Sequence, residues 1–72
     1  MYTKQPKKML IINILDILKK YTDEDHRLSQ KEIVDILKTE YMMAVDRKSV
    51  KRNLMNLIDF GYPIEYSESI RM

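Results

Sequence analysis

The fifteen residues from Asp46 to Phe60, DRKSVKRNLMNLIDF, place two opposed surfaces on one helix. At about 3.6 residues per turn, Val50, Leu54, Leu57 and Ile58 fall on one stripe, while Lys48, Arg52 and Asn56 fall on the far side. Lys51 and Met55 flank them. Asp46 stands where a carboxylate accepts from the unpaired N–H groups of a first turn, and Gly61 stands where a left-handed residue ends a helix. A chain carrying such a helix must supply a core for the apolar stripe and leave the basic stripe in solvent.

Seventy-two residues make one domain, near the lower limit of what folds on a hydrophobic core alone. There is no cysteine, so no disulfide can brace it, and with a single histidine no Cys/His metal set is possible. The Asp/Gly loop of a carboxylate cation site is missing, and no cofactor is expected. The sequence offers no Ser/His/Asp or Cys/His set and no glycine-rich phosphate loop, which argues against an enzyme. The opening MYTKQPKK is basic, but the apolar run behind it is broken by Asn13 and Asp16 and followed by no small-residue cleavage site. Neither a signal peptide nor a membrane span is expected, and a cytoplasmic setting fits.

Net charge is only +2, so its distribution carries more than its total. Residues 1–20 hold five lysines against one aspartate, and residues 21–46 hold three basic against seven acidic groups. Residues 47–52 hold four basic groups and no acid, and residues 53–72 hold one basic against three acidic. Positive charge is gathered at the N-terminal arm and at the start of the basic helix, as expected for an anionic partner.

Residues 1–6 read as a flexible arm, and residues 7–72 as the folded domain. A first helix spans Lys7 to Tyr21, with Leu10, Ile11, Ile14, Leu15, Ile17, Leu18 and Tyr21 on an arc of about 160°, wider than one core usually requires. That width fits either a central helix packed on two sides or a face that also meets a second domain or chain. Thr22 to Arg27 form a polar loop in which His26 has no identifiable partner. In LSQKEI, Ser29 and Glu32 form an S-x-x-E capping box, with Leu28 and Ile33 at the positions of a hydrophobic staple, so a second helix starts at Gln30. Ile33, Ile36 and Leu37 make its buried stripe, reaching towards Tyr41. After Gly61 the period alternates: Tyr62, Ile64 and Tyr66 point inwards, Glu65 and Ser67 outwards. Ser67-Glu68-Ser69 can turn the chain into a return strand, Ile70-Arg71-Met72. The expected fold is mostly α with a small β-hairpin: a winged helix-turn-helix of three helices plus a two-stranded wing.

The segments KKMLIINILDILKKYTDEDHRLS, LSQKEIVDIL and VDRKSVKRNLMNLIDFGYPIEY together resemble the N-terminal winged-helix domain of bacterial WYL-domain transcriptional regulators, a DeoR-like group, over about residues 7–66. In that family a basic third helix of the form D-R-[KR]-[ST]-V-x-R reads DNA, and a larger C-terminal WYL domain senses a ligand. The matching positions are Arg47, Lys48, Ser49, Lys51 and Arg52, with the cap of the second helix at Ser29, Gln30 and Lys31. The linker has Met42-Met43 where relatives often have a glycine. The resemblance implies that this sequence is the N-terminal part of a longer regulator.

The function expected on this basis is sequence-specific binding of double-stranded DNA, with the third helix in the major groove. Lys48 and Arg52 are the candidates for guanine, and Asn53 and Asn56 for adenine. Arg47, Ser49 and Lys51, with Ser29, Gln30 and Lys31, are the candidates for phosphate. A homodimer, through helix one or a domain outside this sequence, would present two copies to DNA. The alternative is a protein-interaction or dimerisation module that binds no DNA, docking through helix one and exposed Met42 and Met43.

Overall fold

The computed structural model describes residues 7–72; the expected arm, residues 1–6, lies outside the described residues. A 3₁₀ turn, Lys7–Met9, leads into α1 (Leu10–Tyr21), followed by α2 (Gln30–Glu40), α3 (Arg47–Phe60), β1 (Glu65–Tyr66) and β2 (Ile70–Arg71). The first α-helix therefore begins at Leu10 and not at Lys7. Three helices with a two-stranded antiparallel hairpin are compatible with a winged-helix layout.

The helix boundaries follow from local chemistry. Ser29 Oγ accepts from the Glu32 N–H at 3.1 Å, and Glu32 Oε1 accepts from the Ser29 N–H at 2.8 Å, which closes the capping box at the start of α2. At the start of α3, Asp46 Oδ1 accepts from the Ser49 N–H at 2.8 Å. Gly61 takes φ +106°, and the N–H groups of Gly61 and Tyr62 return to the carbonyls of Ile58 and Leu57. That pair of bonds is a Schellman ending, which needs a residue with no penalty for left-handed backbone.

Each helix packs against the other two. Ile14, Ile17 and Leu18 of α1, Ile33 and Leu37 of α2 and Val50 and Leu54 of α3 are fully buried, and Ile70 of β2 joins them. Strands of two residues cannot hold a hairpin alone in water. Burial of Ile70 contributes about 1.5–3 kcal/mol, and the Ile70 backbone exchanges two hydrogen bonds with Leu28, at 2.9 and 2.7 Å. Leu28 directly precedes the α2 cap, so the hairpin is tied to the point where α2 begins. Glu65 adds a surface clasp, accepting from Arg71 at 2.5 Å and from Arg27 at 2.8 Å. Those two guanidinium groups, Arg71 foremost, hold the Glu65 carboxyl below the usual carboxylate range.

Several side chains depart from the periodicity reading. Tyr62 is exposed, because the Ile64 N–H returns to the Tyr62 carbonyl at 2.8 Å and bends the chain before the strand starts at Glu65. Tyr21 is exposed too, and its hydroxyl donates to the Glu40 carboxylate at 2.7 Å. Met43 is buried, within reach of the Asn13 amide, whereas Met42 is 67 % exposed with φ 55°. Docking through both methionines is thereby corrected: Met43 fills the core. Asn13, an unexpected polar residue in that core, donates to Met43 Sδ at 4.0 Å. Among the described residues, no helix is long and apolar enough to cross a membrane.

Candidate nucleic-acid interface

The first two turns of α3 carry Arg47, Lys48, Lys51 and Arg52, all exposed. None of the four is in an ion pair among the described residues. The macrodipole makes a helix start electropositive, so acids are favoured there by about 0.3–1 kcal/mol and bases are disfavoured. Helix α3 has no acid in its first turn and no base in its last, the reverse of the stabilising arrangement. Asp46, just outside the helix, is occupied as the cap: the Ser49 N–H and then the Ser49 hydroxyl hold its carboxyl below the usual range. The surface thus sets four exposed cations against one capping carboxylate, an excess of positive charge suited to an anion.

Two depressions border this surface. One, of about 260 Å³, is lined by Ser29, Gln30, Lys31 and Arg47 together with Tyr66 and Glu68 of the hairpin. It brings the start of α2 beside the start of α3, so four of the six expected phosphate contacts meet at one place or adjoin it. The other, of about 230 Å³, is lined by Leu10, Val45, Ser49, Arg52 and Asn53. Lys48 and Lys51 stand exposed on the same two turns. Asn56 lies apart from these groups, in a shallow groove with Ile11, Asp59 and Phe60.

Four of the expected contact residues are already engaged, Ser49 through its hydroxyl and N–H to the Asp46 carboxylate. Asn53 Nδ2 donates to the Ser49 carbonyl at 2.8 Å, so the half-buried amide is tied along its own helix. Gln30 Nε2 donates to the Tyr66 hydroxyl, which fixes the side chain against the hairpin. Ser29 Oγ is taken by the capping box. Tyr66 and Glu68 were missing from the sequence reading of the site. The alternation in β1 showed Tyr66 only as an inward residue, and no local signal relates the bend at Ser67 to Gln30, 37 residues earlier.

Glu68 is exposed and places a carboxylate beside Lys31 and Arg47. The hairpin's two nearby cations, Arg71 and the loop's Arg27, are committed to Glu65. Positive charge in the interface therefore belongs to α2 and α3, and the hairpin contributes hydrogen-bonding groups and a negative edge. Among the described residues no cluster of acidic, histidine or cysteine side chains could hold a metal ion. Comparison of the chain with family models, curated proteins and solved structures returns no match.

Proposed function

We propose that this domain binds double-stranded DNA as a winged helix-turn-helix, the DNA-binding part of a bacterial transcriptional regulator, with the first two turns of α3 in the major groove. The observation that carries this reading is the set of four exposed, unpaired cations at the electropositive start of a capped helix. They oppose the dipole of α3, and among the described residues none of them is in an ion pair. Arg52 and Lys48 address guanine, where a guanidinium can make two parallel bonds to O6 and N7. Asn53 and Asn56 are secondary base contacts, Asn53 through the oxygen left free by its bond to Ser49. Arg47, Lys51, Lys31 and the N–H groups of Gln30 and Lys31, ahead of the Glu32 N–H that the capping box takes, hold phosphate and set the register. Ser29 and Ser49 border those phosphate positions, and Gln30 supports them through Tyr66.

Titration against labelled duplex DNA by fluorescence anisotropy, at several salt concentrations, tests the reading. Neutralising some five phosphates gives a slope of log affinity against log salt of about −4 to −5. Arg52→Ala should cost about 1–3 kcal/mol and relax one base preference, and Lys51→Ala should weaken all sequences alike. If the chain does not bind duplex DNA, or if both variants bind as the unaltered chain does, α3 is not the reading helix.

A further inference from the structure

The two flanks of the basic turns of α3 differ in chemistry. On the α2 side, the depression of about 260 Å³ is walled by Ser29, Gln30, Lys31, Arg47 and the hairpin, with hydrogen-bonding or charged side chains throughout. On the α1 side, the depression of about 230 Å³ sets two aliphatic side chains, Leu10 and Val45, beside Ser49, Arg52 and Asn53. Two of those three polar groups are tied within the fold. The Ser49 hydroxyl and N–H go to the Asp46 carboxylate, and the Asn53 amide N–H goes to the Ser49 carbonyl. Of the five residues Arg52 alone is exposed, and it is in no ion pair among the described residues. Next to its guanidinium the depression therefore presents an apolar wall, Leu10 buried and Val45 half-buried.

We infer that this depression is a subsite for the C5-methyl group of a thymine beside the guanine that Arg52 addresses, and that Val45 is a specificity-determining residue. The inference rests on the DNA reading. In the major groove the thymine methyl is the one apolar group among the edges of the four bases. An aliphatic wall neither donates to a base edge nor accepts from it, but it gains by withdrawing a methyl from water. Cytosine, the other pyrimidine, has only hydrogen at that position and leaves the wall in contact with water.

Spacing supports the pairing of the two contacts. Ser49, Arg52 and Asn53 stand at i, i+3 and i+4 on one turn of α3. A turn rises about 5.4 Å, and successive bases along one strand are about 3.4 Å apart. A group that enters the depression while Arg52 holds a guanine therefore belongs to the neighbouring base pair. The wall is also in place before DNA arrives. Leu10 belongs to the core, and Val45, which directly precedes the Asp46 cap, packs against it, so neither has to be ordered on binding.

Fluorescence anisotropy with the 72-residue chain, on a duplex that the chain itself selects from a random pool, tests the subsite. The guanine read by Arg52 is the one whose replacement no longer matters in Arg52→Ala. Each thymine beside that guanine, on either strand, is then replaced by deoxyuridine, which removes the methyl and nothing else. One such replacement should weaken binding about fourfold, the worth of one methyl withdrawn from water. At the same position 5-methylcytosine should bind more tightly than cytosine. Val45→Thr keeps the branched shape but puts a hydroxyl in the wall, and should bind the thymine and deoxyuridine duplexes equally. A selected site with no thymine beside the guanine overturns the inference. So does equal binding of the two duplexes by the unaltered chain, or a folded Val45→Thr variant that keeps the full preference. The deoxyuridine comparison needs no variant, so it decides the matter even where Val45→Thr unfolds. A chain that binds duplex DNA with an Arg52-dependent guanine preference and no methyl effect loses the subsite and keeps the DNA reading, whereas a chain that binds no duplex DNA loses both.

Discussion

Helices α2 and α3 begin alike and are finished differently. Both start at a side-chain cap, Ser29 for α2 and Asp46 for α3, preceded by an apolar residue that packs back on the core. Three residues after the cap, α2 has Glu32, whose carboxylate returns to the Ser29 N–H. At the equivalent position α3 has Ser49, and the residues around it are basic. Helix α2 therefore meets its own electrostatic demand within its first turn, whereas α3 sets one acid, the Asp46 cap, against four bases. The ends invert the relation: α3 closes on Gly61, and α2 runs into Met42 in left-handed backbone. Each helix has one end optimised for stability and one end that is not, and the open start of α3 is where an external anion would complete it.

The largest test of this contrast transplants the α2 solution onto α3. Ser49→Glu places a carboxylate where it can reach back to the Asp46 N–H and complement the dipole, which should stabilise the fold by about 0.5 kcal/mol. It also places a negative group among Arg52, Asn53 and the expected phosphates, and should lower DNA affinity at least about tenfold. Opposite signs in a thermal melt and a binding titration are the expected outcome. A loss in both would show that the seat beside Leu10 and Val45 cannot hold a glutamate, and that the two starts differ by packing instead of charge.

The C-terminal ends supply a pair of smaller effects, again of opposite sign. Gly61 has open space where a Cβ would go, so Gly61→Ala meets no clash and costs only the left-handed backbone penalty, about 1 kcal/mol. Met42→Gly relieves the same penalty at φ 55°, but loosens the unfolded chain, and should gain about 0.5 kcal/mol. Denaturant titration of both variants checks the pair. If Met42→Gly destabilises, the exposed methionine contributes packing that outweighs its backbone strain.

These particular residues also show why parts of the chain were legible and others not. Caps and stops act within five residues, so Ser29 with Glu32, Asp46 and Gly61 are visible as patterns, and all three form the expected hydrogen bonds. The apolar stripes of α1, α2 and α3 give most of the core for the same reason. What escaped depends on distant partners. Leu28 pairs with Ile70 across 42 residues, and Gln30 is captured by Tyr66. Of two adjacent methionines one is buried against Asn13, 30 residues away, and the other is not. The basic character of the interface could be read from Arg47 to Arg52, but the carboxylate of Glu68 at its edge could not, because only the hairpin's docking on Leu28 brings it there.

Acid separates the two helix starts most finely. Ser29 caps α2 with a hydroxyl that does not titrate, and Asp46 caps α3 with a carboxylate held below its ordinary range, first by the Ser49 N–H and then by the Ser49 hydroxyl. A depressed folded value means that the charged form favours the folded state. The stabilisation from Asp46 is therefore complete above the unfolded value of about 4, and is lost as pH falls through the lower folded value. Through that interval the start of α3 should fray while the Ser29–Glu32 N–H bond persists. Amide chemical shifts read this directly: the Ser49 N–H should move on acidification below about pH 4, and Asp46→Asn, a cap of similar strength without a titrating group, should remove the movement. A Ser49 N–H that stays still in the unaltered chain would mean that Asp46 does not cap α3 in solution. The contrast between a self-sufficient and an open helix start would then rest on Glu32 and the unpaired cations alone.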